Sequence, residues 1–258
     1  MIGTTVAAPA LSAQPRRPGL DRGTAMRLAA EEYAALVAQL RDLTEDEWRV
    51  PTCCTGWDVH KMACHVVGMA EFAASPVEQA RQGLKAKRGG GLFIDALTAV
   101  QVEKHVQDEP ADVVDGLAAA GPRAAKGRRR TPAPLRHVRL KGQPVDETGS
   151  VMETWVLGYL VDVILTRDTW MHRSDICDAT GRAMSLMEEH DGVLVADVVA
   201  DWAGRHGQPC SLTLTGPAGG TWSWGSGGPS YELDAVEFCR ILSGRGTGEG
   251  LLSTRVPF

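Results

Sequence analysis

The stretch from Val151 to Ile176, VMETWVLGYLVDVILTRDTWMHRSDI, is the most informative part of the chain. Its spacing predicts one long helix. At about 100° per residue, Leu157, Leu160, Val161, Ile164, Leu165 and Met171 fall on one face. Asp168 and His172 lie within that face rather than opposite it, and Asp175 lines up behind them. Burying a carboxylate and an imidazole costs several kcal/mol unless something satisfies them. Side chains four apart meet on a helix surface, so one divalent cation could bind both. A buried polar network with a neighbouring arginine would satisfy them equally well.

The first two-thirds of the chain is predicted to be helical. A first helix runs from about Thr24 to Leu43, with Leu28, Tyr33, Leu36 and Leu40 near one face and Asp21 or Thr24 as its cap. Thr44 and Glu47 have capping-box spacing and predict a short turn before Pro51. A second helix starts near Gly56-Trp57-Asp58 and continues to Ala74, with Val59, Met62, Ala63, Val66, Val67 and Ala70 as its stripe. A third covers Leu92 to Val106, and a fourth comes after the break at Asp108-Glu109-Pro110, over Ala111 to Ala125. A polar loop from Gly127 to Thr148 leads into the long helix, with the basic cluster Lys126 to Arg130 as a solvated interhelical segment. Gly181 suits a left-handed cap at the long helix's end.

After Glu189 the pattern changes. Val193 to Trp202 reads as a helix, Ser211 to Thr215 and Thr221 to Trp224 as a hairpin, and Asp234 to Leu242 as a closing helix. The expected fold class is therefore α+β. A disordered leader over residues 1–20 precedes a helical bundle over 21–185 and a small α/β domain over 186–258.

The chain has 258 residues, 43% of them hydrophobic, and a net charge of −5. That balance disfavours a nucleic-acid partner. No secretory signal and no window long and apolar enough for a membrane span is visible, so a cytoplasmic protein is expected. The six cysteines contain no CxxC pair and read as free thiols. Adjacent Cys53 and Cys54 stand just before a helix, where a thiolate can be stabilised.

His65, at the margin of the second helix's stripe, could face Asp168 and His172 across two antiparallel helices. Two imidazoles and a carboxylate form a ligand set that leaves coordination positions open. His60 and Cys64, four apart in the same helix, are a rival pair, and periodicity does not choose between them.

At these residues the sequence resembles a known family. PTCCTGWDV at 51–59 and ACHVVG at 63–68 look like the signature "PTPCPGWTVRDVVAHLVG" of DinB-like bundles of the mycothiol-dependent maleylpyruvate isomerase type. RDTWMHRSDI at 167–176 resembles the family's second signature, "ELAVHRWDL". The resemblance implies a DinB-like four-helix bundle with metal ligands at His65, Asp168 and His172. Asp168 stands where relatives carry Glu, and Asp175 matches a common family aspartate. His60 stands where the signature has arginine, which demotes the rival pair. LTLTGPAGGTWSW at 212–224 and DAVEFCRILSGRGTGEGLL at 234–252 look like the sterol-carrier-like domain that these proteins carry.

The resemblance further implies a divalent metal, zinc first, with nickel or iron as options. Its cofactor would be mycothiol or another low-molecular-weight thiol. An arginine of the tail, Arg245 or else Arg240, would hold a small-molecule substrate in a cleft between bundle and tail. The implied reaction is isomerisation by reversible thiolate addition to a conjugated double bond. The alternatives are S-transfer to an electrophile, as in detoxification or natural-product biosynthesis, and a non-catalytic small-molecule or metal-binding protein. A monomer or homodimer is expected.

Overall fold

A computed structural model describes residues 14–146 and 149–258. Most of the expected leader, residues 1–13, lies outside the described residues. Within 14–20, the backbone of Arg16 bonds to Thr154 and Val156 at 2.9 and 3.0 Å.

Four helices form the bundle: α1 (Arg22–Arg41), α2 (Val59–Ala74), α5 (Pro110–Arg129) and α8 (Leu165–Thr180). α1 and α2 each pack on α5 and on α8. Their shared core includes Tyr33, Leu36, Leu40, Met62, Val66, Leu117, Ala124 and Ile176. α1 and α5 approach closely because residue 121 is glycine: a Cβ there would stand 2.7 Å from that of Tyr33. Asp21 caps α1 through the Thr24 amide at 3.1 Å. One half of the capping box forms, with Glu47 accepting from the Thr44 amide at 2.7 Å and from the Thr44 hydroxyl at 2.9 Å.

Two further helices lie against α2, namely α3 (Pro76–Gly89) and α4 (Phe93–His105). The sequence pattern does not predict α3. It buries only Gln82 and Ala86, so its apolar spacing carries no signal. Its readable marks are local: Ser75 caps it and Pro76 occupies its first turn.

The segment before α8 corrects two expectations, one long helix and a loop over 127–148. α5 runs on to Arg129, and Arg128 is buried, donating to the Val161 carbonyl at 2.6 Å. The basic cluster is thus partly a helix end locked into the core rather than a solvated loop. A one-turn helix α6 (Ala133–Arg136) comes next, then strands β1 (Arg139–Pro144) and β2 (Met152–Val156), paired antiparallel. Met152 to Val156 carries aromatic and β-branched residues, Thr154, Trp155 and Val156, which suit a strand.

Helix begins only at α7 (Leu157–Tyr159) and passes through a π-helical stretch, Leu160–Ile164, before α8. The wider π-turn rotates α8 relative to α7, so the stripe from Leu157 to Met171 is not one face. Tyr159, Val163 and Ile164 pack with Trp155; Leu165 and Ile176 face the bundle core; Trp170 and Met171 face the tail. α8 ends at Gly181 with φ of 69°, as its cap requires.

The tail holds α9 (Val193–His206), strands β3 (Cys210–Thr215), β4 (Gly220–Trp224) and β5 (Ser230–Asp234), and α10 (Ala235–Ser243). β3 and β4 form the expected hairpin, with Leu212 opposite Trp222. β5 is not predicted by the sequence pattern; it lies parallel to β3 on the other side, giving the order β4-β3-β5. Val198, Trp202, Leu212, Phe238 and Leu242 form the tail core, which Trp170 and Met171 of α8 complete. α8 therefore belongs to both cores. Among the described residues, no helix is long and apolar enough to cross a membrane.

Candidate metal centre

The turn at 51–58 sets the register of α2. Thr52 and Trp57 share a backbone bond of 2.9 Å, and the Asp58 carboxylate caps the helix through the Lys61 amide at 2.8 Å. Two turns later His65 points at α8. There the π-turn aims Asp168 and His172 back toward α2. The donor atoms of His65, Asp168 and His172 lie within 4.8 Å of one another. His65 Nε2 is 3.5 Å from Asp168 Oδ2, and His172 Nε2 is 3.6 Å from Asp168 Oδ1. The two imidazoles meet edge to face at 5.2 Å, and the Trp57 ring lies 5.4 Å from His65 and 6.2 Å from His172. Both histidines are buried, while the Asp168 side chain keeps 24% exposure and leaves a way in.

These contacts are too long for good hydrogen bonds. Asp168 Oδ2 and His65 Nδ1 are buried with no hydrogen-bond partner. Ligands around a tetrahedral zinc stand roughly 3.4 Å apart, close to the spacing found. The donor set therefore fits a divalent cation better than it fits a self-contained network.

Behind the histidine the bonds are short. Asp175 Oδ2 accepts from His172 Nδ1 at 3.2 Å, and Arg245 grips Asp175 with two bonds of 2.6 and 2.8 Å. Arg240 reaches Asp175 at 3.3 Å and Asp178 at 2.8 Å. Burial works against the Asp175 carboxylate, but His172 and Arg245 outweigh it and hold its pKa well below the usual range. Burial likewise opposes charge on Asp168 and His172. Their mutual attraction prevails, lowering the acid and raising the imidazole.

Both candidate arginines thus converge on Asp175. Arg245 is linked to the centre through Asp175 and His172, its guanidinium bonded twice to a carboxylate of the protein itself. Cys53 Sγ touches the same Asp175 oxygen that Arg245 holds, at 3.2 Å. Trp57 is legible in the sequence only as part of a motif, and its place against both imidazoles comes from the turn geometry. The rival pair stays together, with Cys64 Sγ 3.8 Å from His60 Nε2, but among the described residues it gathers no third donor. His60 Nε2 lies 3.0 Å from the Asp108 carbonyl.

A second cluster with similar donors is Glu32, His190 and Asp191. Its facing atoms are bonded within the protein at ordinary distances, although Glu32 Oε1 is buried without a partner. His190 bonds Glu32 at 2.6 Å and Glu31 at 3.1 Å, and Asp191 accepts from Arg173, from Trp170 at 2.8 Å and from the Met187 amide at 2.7 Å.

Residues 29–177, more than half of the chain, match the family described as the mycothiol maleylpyruvate isomerase N-terminal domain. Two uncharacterized proteins of Mycobacterium tuberculosis, from strains CDC 1551 / Oshkosh and ATCC 25618 / H37Rv, are each 24% identical over 233 residues. The match covers 85% of this chain and 83% of theirs. Crystal structures of the mycothiol-dependent maleylpyruvate isomerase and of a histidine-to-alanine mutant share the fold, with TM-scores of 0.55 and 0.54 at 15% and 14% identity. Each covers 88% of this chain and 91% of its own. The chain belongs to the mycothiol maleylpyruvate isomerase N-terminal domain family, built as a DinB-like bundle with a small α/β tail.

Proposed function

We propose that this protein is a metal- and mycothiol-dependent isomerase acting on a small molecule with a conjugated, electron-poor double bond. The observation that carries the reading is the meeting of His65, Asp168 and His172, whose facing atoms the protein leaves without good hydrogen bonds. When bound, a divalent cation (zinc first, nickel or iron as options) favours the thiolate form of the cofactor thiol, which supplies a nucleophile for reversible addition.

The protein's own residues do the rest. Asp175 takes the proton side of His172 Nδ1, which leaves Nε2 as the lone-pair nitrogen turned toward Asp168. Arg245 and Arg240 keep Asp175 ionised, so this orientation persists. Arg245 then serves the site by positioning. Trp57 closes one side of the imidazole pair and also lines a cavity of about 600 Å³ between the start of α2 and α4, with Lys61, Thr98 and Val102. That cavity, rather than a cleft between bundle and tail, is our candidate for the small-molecule groove.

A second reading, mycothiol S-transfer to an electrophile, is favoured by one observation. Arg245 is engaged by Asp175, which takes up the guanidinium expected to hold a substrate carboxylate.

The test combines elemental analysis with a reaction. Purified protein incubated with mycothiol and a maleyl-type substrate should hold one divalent cation and give the trans isomer with thiol conserved. A stable thioether would replace isomerisation with S-transfer. Protein that takes up neither zinc, nickel nor iron would overturn both.

A further inference from the structure

The adjacent thiols Cys53 and Cys54 are left over by the proposed chemistry. Of the six cysteines, Cys53 is exposed and Cys54 half-buried, while the other four are buried. The pair is held in a rigid turn. Thr52 Oγ1 donates to the Trp57 carbonyl at 3.0 Å and accepts from the Cys54 amide at 3.3 Å, and the Trp57 amide bonds the Cys54 carbonyl at 2.9 Å. Gly56, at φ of 79°, allows the turn to close. Cys53 Sγ donates to Asp175 Oδ1, the carboxylate that orients His172. A second thiol therefore stands beside an exposed thiol, which in turn contacts the support of the candidate centre.

We infer that Cys53 and Cys54 are a reversible redox pair, in which Cys53 is oxidised by a low-molecular-weight disulfide and Cys54 resolves the product. In the first step the Cys53 sulfur attacks one sulfur of the disulfide. A Cys53 mixed disulfide forms, and the released thiolate takes up the Cys53 proton. In the second step Cys54 attacks the Cys53 sulfur, its proton passes to the second leaving thiolate, and a Cys53–Cys54 disulfide closes. Two protein thiols are oxidised and one disulfide is reduced to two thiols.

Neighbouring Cα atoms stand about 3.8 Å apart, inside the separation usual for disulfides, so the ring is strained and readily reopened by thiol. The hydrogen bond with Cys54 pulls the Cys53 thiol below its ordinary pKa, which agrees with Cys53 as the attacking group. Oxidation removes the S–H donor from Asp175. The reading goes beyond the proposed function and does not depend on a bound metal.

The test exposes the full-length protein to glutathione disulfide and monitors its intact mass and peptide map. Wild type should lose two hydrogens at residues 53–54, and excess reduced thiol should restore them. Cys54→Ser should stop at one glutathione on Cys53. Cys53→Ser should react about tenfold more slowly or less. Wild type that keeps its mass, adducts on the four buried cysteines, or a Cys53→Ser variant as fast as wild type would overturn the inference. A lasting mixed disulfide on wild type would overturn the role of Cys54.

Discussion

Two clusters of histidine and acid flank α8, and they differ in what holds them. Glu32, His190 and Asp191 sit where α1, the segment entering the tail and α8 converge, and the protein supplies their bonds at 2.6 to 3.1 Å. His65, Asp168 and His172 sit between α2 and α8 at 3.5 and 3.6 Å, too far for good hydrogen bonds to one another. The residue types are nearly the same. The first cluster spends its polar groups on joining tail to bundle, through Arg173 and Trp170 of α8. The second leaves room for one more atom. Donor identity alone does not separate the two, and each has a buried oxygen without a partner; the wider spacing of the facing donors does.

The contrast breaks most sharply at His172. His172→Ala should lower divalent-metal affinity by roughly 100-fold or more and abolish turnover while the bundle stays folded. Metal content and far-UV circular dichroism read both effects, and unchanged stoichiometry would refute the assignment. The opposite pattern is expected for Asp191→Ala. Removing it strands the Trp170 indole N–H, leaves Arg173 only the longer pair with Glu32 at 3.4 Å, and should cost about 3 to 5 kcal/mol in urea unfolding. Metal content of the remaining folded protein should not change.

Arg245→Ala sharpens the link between tail and site. Losing the double bond to Asp175 should weaken metal binding or turnover by about 10- to 100-fold, the range typical of residues behind a ligand. If Arg245 instead held substrate, KM would rise with metal affinity intact.

The smallest effect is a pH slope. Burial disfavours charge on His190, but Glu32, Asp191 and Glu31 outweigh it and raise its pKa. Its folded pKa lies above the unfolded value of about 6.5. The stabilisation is therefore complete below that pH and fades as pH rises through the folded pKa. The difference in urea midpoint between wild type and His190→Gln should shrink from about pH 6 to pH 9. A difference that is constant or grows would contradict the sign.

Much of the fold is readable because its helices carry strong apolar spacing. α1, α2 and α9 lie close to their expected spans, as does the β3–β4 hairpin. α3 escapes because it buries almost nothing, and β5 because it pairs with β3 rather than with its sequence neighbour β4, so no hairpin marks it. The start of the long helix misleads because Thr154, Trp155 and Val156 suit a strand, and pairing with β1 decides the outcome.

By itself the sequence determined the residue types of the site and, through the two signatures, which histidine of α2 to pair with α8. Those are local properties: spacing along a helix and the chemistry of side chains. Tertiary structure alone decided which polar groups are spent. Arg245 binds Asp175, and Cys53 reaches that same carboxylate from far along the chain. Such pairings depend on how the tail docks on α8 and on the turn before α2. No periodicity encodes them, because they join residues from separate elements whose distances only packing sets.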